Sequence, residues 1–113
     1  MVWIDLEAKY LHQNASVVSE REFQTWIMKY ARVNDWLAYH TENSMRSPAG
    51  FPDCVFVRPP EIVFAELKSG LVSANVKPAQ EEWLRNLAAC ELEVHLWTPR
   101  DIPEIQTRLR RPL

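Results

Sequence analysis

Asp53, Glu66 and Lys68 are the residues whose types and spacing could do chemistry. In the run from Ile62 to Lys68 an extended chain puts Ile62, Phe64, Glu66 and Lys68 on one face and Val63, Ala65 and Leu67 on the other, so an acid and a lysine end the same row. Asp53 opens the preceding apolar run, 66 − 53 = 13 residues upstream, with Pro52 to hold an extended approach and Gly50 to permit a tight one. If the two runs pair as a hairpin, Asp53 and Glu66 meet at one edge of the sheet. Two unit charges about 4 Å apart repel by roughly 4 kcal/mol at an effective dielectric of 20, so the pair needs a cation or a raised pKa. Oxygen-only ligands suit a hard divalent ion, Mg²⁺ or Mn²⁺ rather than zinc. Such an ion would polarise a phosphodiester and lower the pKa of an attacking water, while Lys68 orients that water or stabilises the developing charge. The chemistry is phosphodiester hydrolysis. Taken alone, Glu66-Leu67-Lys68 is weak, because an acid and a lysine two residues apart also make an ordinary surface pair worth about 0 to 1 kcal/mol.

Two further polar residues share rows with apolar ones. Glu20, Phe23, Ile27 and Ala31 follow i, i+3, i+7, i+11, so at about 100° per residue Glu20 extends the apolar stripe of a helix and needs a partner there. Glu22 lies roughly 110° from that stripe and completes a capping box with Ser19, which gives it a structural role. Of the two acids, Glu20 is the candidate. The competing reading of Glu20 is a first-turn acid favoured by the helix dipole. Gln80 shares a helical face with Trp83, Leu84 and Leu87, where an amide could equally tie down a loop.

The elements that must position these residues can be read from pattern. Trp3, Ile4, Leu6, Tyr10 and Leu11 could make a short amphipathic helix that packs on the domain or on a second subunit. A helix follows from about Glu20 to Val33, capped by Ser19. Trp36 to Thr41 reads as a strand and Glu42 to Pro52 as a loop. Cys54 to Arg58 and Ile62 to Lys68 read as a hairpin around Pro59-Pro60. After a loop over Ser69 to Lys77, Pro78 suits a first helical turn, and Trp83, Leu84, Leu87 and Ala88 supply a second core helix. Glu93 to Thr98 is a strand, and Asp101 with Glu104 could cap a last short helix. The expected architecture is α/β, a central mixed sheet flanked by helices, in the order α-β-β-β-α-β-α.

A chain of 113 residues fits one small domain without a separate substrate or regulatory domain. Hydrophobic residues make up 47% and charged ones 25%, a globular rather than a disordered composition. The net charge of −2 announces no nucleic-acid partner, but carboxylates that hold cations are themselves acidic, and a small basic surface can coexist with a negative total. Cys54 and Cys90 lack metal-ligand spacing and read as buried free thiols. Met1 to Lys9 has neither a basic stretch nor an apolar run of signal-peptide length, and no segment approaches a membrane span, so a soluble intracellular (cytoplasmic) protein is expected.

With these residues in place the sequence resembles the PD-(D/E)xK nuclease superfamily, and more closely its VRR-NUC family of small viral and repair-associated nucleases. The likeness spans roughly Ser19 to Ile105. It rests on the run from Ser19 to Gln24, on Tyr39-His40-Thr41, on the run from Ser47 to Asp53 and on Phe64-Ala65-Glu66-Leu67-Lys68. Gln80 with Trp83-Leu84, and Trp97-Thr98-Pro99 with Asp101, complete it. The combined order is far more specific than any one motif.

The resemblance implies a restriction-endonuclease-like core over 19–113, preceded by an N-terminal extension over 1–18. It implies that Asp53 and Glu66 ligate Mg²⁺ or Mn²⁺ with the carbonyl of Leu67, and that Glu20 acts directly or through water. Lys68 is then the catalytic lysine, and Gln80 lies in the site. Stand-alone viral members resemble Holliday-junction resolvases, so the implied protein is a homodimeric endonuclease acting on branched DNA such as four-way junctions, in repair or recombination. Arg21, Arg46 and Lys77 are candidate phosphate contacts, each of which could equally be an ordinary solvated charge. Relatives often carry two adjacent basic residues where this chain has Met45-Arg46, which points to weaker DNA contact in that loop. The alternative from another class is a catalytically inactive DNA-binding or assembly module that keeps the nuclease fold.

Overall fold

The computed structural model describes residues 2–42, 45–70 and 75–113. Its elements are α1 (Val2–Gln13), α2 (Glu20–Val33), β1 (Leu37–His40), β2 (Cys54–Arg58), β3 (Glu61–Leu67), α3 (Pro78–Ala89), β4 (Glu93–Trp97) and, after a 3-10 turn at Pro99–Asp101, α4 (Ile102–Leu109). Beyond α1, this is the order expected from the sequence. Positions 43–44 of the first expected loop and 71–74 of the second lie outside the described residues.

Helix α2 starts where its signals place it. The Ser19 side chain accepts from the Glu22 N–H, and the Glu22 carboxylate accepts from Ser19 N–H in return, so two of the orphan donors of the first turn are satisfied. The four strands lie in the order β1-β2-β3-β4, antiparallel across the first two pairs and parallel across β3 and β4, with α3 as the crossover. β1 is shorter than the aromatic run implied, because Trp36 turns into the core, where its indole N–H donates to the Leu109 carbonyl at 2.8 Å.

The register opposes Cys54 to Ala65 and Phe56 to Val63. With a period of two, these four and Leu67 and Trp97 share one face of the sheet, and all are buried against α1, α2 and α4 in a single core. Ile4, Ala8 and Leu11 of α1 belong to that core, so the first helix packs on the domain with one face. Its other apolar residues, Trp3, Leu6 and Tyr10, are exposed, which divides the expected amphipathic stripe in two. The C-terminal helix is fastened by Arg108, which pairs with Glu61 at 2.7 Å and with both oxygens of Glu93 at 2.7 and 2.8 Å. Those bonds hold the Glu93 carboxyl below, and the Arg108 guanidinium above, their ordinary pKa values.

The opposite face carries Leu37, Tyr39, Val55, Val57, Ile62, Phe64, Val94 and Leu96. It is covered only in part. α3 packs beside β4, but Trp83, Leu84 and Leu87 are half-buried and Ala88 is exposed, so α3 is not the second core helix that its periodicity implied. Cys54 is buried as expected, whereas Cys90 is exposed at the end of α3. Asp101 does not cap α4 with its side chain; the carboxylate instead accepts from the Thr98 backbone N–H at 2.8 Å and holds the 3-10 turn. Among the described residues, no helix is long and apolar enough to cross a membrane.

Candidate active site

The site gathers where β2 begins, β3 ends and the N-termini of α2 and α3 approach. Asp53 directly precedes β2, and the Leu67 N–H donates to its Oδ2 at 2.9 Å, which ties the start of β2 to the end of β3. The register that opposes Cys54 to Ala65 makes Glu66 the neighbour of Asp53, as the hairpin required. Glu66 is 2% exposed and is the only buried polar or charged residue among those described. Its Oε2 accepts from Gln80 Nε2 at 2.7 Å and lies 3.4 Å from Lys68 Nζ, while its Oε1 is buried without a hydrogen-bond partner.

Gln80 organises this end of the sheet. Its Nε2 donates to Glu66, and its Oε1 accepts both from Lys68 Nζ and from the Lys77 backbone N–H, each at 3.0 Å. One amide therefore holds the acid and the lysine in a fixed relation and ties both to the first turn of α3. The amide that fastens the start of α3 is thus the same one that joins Glu66 to Lys68.

Electrostatics shows the same convergence. Burial first, and the charge of Asp53 second, raise the Glu66 carboxyl to about 7 against the opposing pull of Lys68. Glu20 is raised as well, by partial burial first and by Asp53 second, with Lys68 lowering it. Glu20 is nevertheless exposed, so it stands at the rim of the cluster and not inside the core. The buried Cys54 thiol is pushed up by burial, and then by Asp53, Glu66 and Glu20 together. The three acids thus act on one small region.

That region fits a hard cation. The buried, unpartnered Oε1 of Glu66 is a lone pair removed from water without compensation, and the adjacent Asp53 adds repulsion that a positive charge would relieve. Among the described residues no three His, Cys, Asp or Glu side chains come together as a metal-holding group. Asp53 and Glu66 therefore supply two carboxylates, and water or a backbone carbonyl such as that of Leu67 would complete the shell, as is common for Mg²⁺.

A cavity of about 780 Å³ opens onto this centre, with Asp53 and Gln80 in its wall together with His40, Glu42 and Phe51. Phe51 packs edge-on against Phe64 and Trp83, which closes one side with aromatic surface. Gly50 enables the close packing there: its φ is +100°, and a Cβ would stand 2.4 Å from the Ala79 carbonyl oxygen and 2.9 Å from the Gln80 nitrogen. Gly50→Ala is expected to cost about 2 kcal/mol or more in urea unfolding, through both the backbone conformation and the clash.

Arg21, Arg46 and Lys77 are all exposed. Lys77 immediately precedes α3 beside Gln80, Arg21 borders a groove between α1 and α2, and Arg46 lies on the loop before Pro52. Sequence reasoning gave no role to the pair Gln24 and His40, which are joined side chain to side chain at 3.2 Å. A signal was present: Gln24 lies four residues after Glu20, hence on the same side of α2.

Glu22 Oε1 accepts from Ser19 N–H and Oγ and is occupied at the cap, whereas Glu20 shares a field with Asp53 and Lys68. If this site hydrolyses phosphodiesters, Glu20→Gln is expected to lower that rate by at least about tenfold, and Glu22→Gln to cost mainly about 1 kcal/mol of stability. Initial rates and thermal melts on the two variants would reveal the reverse ranking if the roles were exchanged.

The chain matches no family model and no curated protein. A solved structure described as a VRR_NUC domain protein is similar to it over 83% of this chain and 92% of that one, with a TM-score of 0.61 at 23% sequence identity. The mixed four-stranded sheet and its flanking helices thus form a VRR-NUC-like nuclease fold.

Proposed function

We propose that this protein is a Mg²⁺- or Mn²⁺-dependent DNA endonuclease, in which residues 19–113 form the nuclease unit and the first eighteen residues an extension packed on it. The observation that carries the reading is the buried Glu66 beside the half-buried Asp53, with one Glu66 oxygen unpartnered and Lys68 clamped beside it by Gln80. Asp53, Glu66 and the carbonyl of Leu67 would hold the cation, with Glu20 acting directly or through water. When bound, the ion supplies charge to polarise a phosphodiester and to acidify an attacking water. Lys68, held by Gln80 Oε1, presents its ammonium to that water or to the negative charge that develops on the phosphate. Gln80 keeps the lysine in register and covers the Glu66 carboxylate with its own amide. Arg21, Arg46 and Lys77 supply phosphate contacts at the surface.

The preferred substrate is branched DNA, and the working form is an intracellular homodimer. Support for the dimer comes from the uncovered sheet face, where Leu37 is 74% and Tyr39 is 60% exposed beside the partly buried Val55, Val57 and Ile62. Apolar surface of this kind marks an interaction site more often than a free surface. The test is incubation with labelled linear duplex, single-stranded and four-way-junction DNA, alongside a sizing measurement. The four-way junction is expected to be cut best by a species of twice the chain mass. Equal cutting of all three would remove the branched-DNA preference, and a monomer would remove the dimer.

A further inference from the structure

The pair formed by Gln24 and His40 does not hold the acids, yet His40 lines the same cavity as Asp53. β1 ends at His40, directly opposite Cys54, and the Thr41 N–H donates to the Asp53 carbonyl at 3.0 Å, so His40 is fixed relative to Asp53 by backbone bonds. Its ring lies on the α2 side of the sheet, where Gln24 Nε2 approaches Nδ1 at 3.2 Å. The amide NH₂ of Gln24 donates in this arrangement, so Nδ1 accepts and a ring N–H is left at Nε2. That second nitrogen has no hydrogen bond among the described residues. Its nearest charged group is Glu42, 3.7 Å away, on a side chain that is 84% exposed. His40, Glu42 and Asp53 line the same cavity. His40 spends one nitrogen on orientation and leaves the other at the cavity that Asp53 also lines.

We propose that His40, oriented by Gln24, donates its Nε2–H to a phosphate oxygen of the DNA strand lying in this cavity. The inference rests on the nuclease reading above. Gln24 is then a positioning residue, and Glu42 competes with the phosphate for the same N–H.

The test uses the full chain labelled with ¹⁵N, in chelator so that nothing is cut, titrated with a short thymidine oligonucleotide and separately with inorganic phosphate. Free protein is expected to show the Nε2–H tautomer at His40, and the oligonucleotide is expected to shift the ring signals. His40→Ala should weaken oligonucleotide binding about tenfold, the size of one hydrogen bond to a charged acceptor, with a smaller effect on kcat than on KM. Gln24→Leu should weaken binding less and let the tautomers mix, while Glu42→Gln should tighten binding. An Nδ1–H tautomer in the free protein, unmoved His40 signals, or wild-type affinity in folded His40→Ala would each overturn the proposal. A shift with phosphate alone and none with the oligonucleotide would also overturn it. Failure of the nuclease reading is a separate result: no substrate is cut with any metal, whatever the His40 signals do.

Discussion

Asp53→Asn is expected to abolish DNA cleavage, by at least about a thousandfold, while leaving the fold intact. The two side chains have the same shape, and the amide oxygen of Asn can still accept the Leu67 N–H that Asp53 Oδ2 accepts at 2.9 Å. The tie between the start of β2 and the end of β3 therefore survives. What disappears is one of the two negative charges that would hold the cation, and with it the repulsion that raises Glu66. Thermal stability of the metal-free variant should accordingly be unchanged or slightly higher than that of the wild type, and DNA binding in chelator should be retained. Cleavage assays paired with melts check both halves. Cleavage at the wild-type rate would remove Asp53 from the site.

The second large effect is a stability that runs against the usual direction for a carboxylate. Glu66 is raised to about 7 by burial and by Asp53, so between about 4.5 and 7 the folded chain holds a proton that the unfolded chain has released. Stability of the metal-free protein should therefore fall as pH rises through this window, with a contribution on the order of 2 kcal/mol after allowing for the coupling to Lys68. Glu20 adds in the same sense. Glu66→Gln should remove most of the slope and be the more stable protein at pH 8. Mn²⁺ or Mg²⁺, which binds the deprotonated pair, should restore wild-type stability at pH 8 and progressively lose its effect as pH falls below 7. Melting temperatures at pH 5.5 and 8, with chelator and then with Mn²⁺, test this directly. A wild-type stability that climbs with pH in chelator would contradict the buried, uncompensated acid.

Much of this arrangement was legible in the sequence because it depends on local rules. The Ser19 and Glu22 capping box fixes where α2 begins, and the alternation through Ile62, Phe64 and Glu66 fixes which side chains share a row. From those two facts the meeting of Asp53 with Glu66 follows once the hairpin forms. Periodicity could not say what covers a face. Trp83, Leu84 and Leu87 have core-like spacing, but α3 lies at the margin of a half-open sheet, so none of them is buried. In α1 the same ambiguity sent Ile4 and Leu11 inward and left Trp3 and Tyr10 outside. Cys90 is exposed for a similar reason, at the free end of a marginal helix. Gln80 was placed in the site by the resemblance, but its bonds to Lys68 and Glu66, 12 and 14 residues away, and the pairing of Gln24 with His40, 16 residues apart, were not legible. No pattern within a single element reports such contacts.

The most direct test of the central claim is incubation of the wild-type protein with labelled four-way-junction and linear DNA, in Mg²⁺ or Mn²⁺ and in excess chelator. Cut strands in metal and intact strands in chelator are the predicted result. Intact DNA under every metal condition, or equal cutting in chelator, would contradict it.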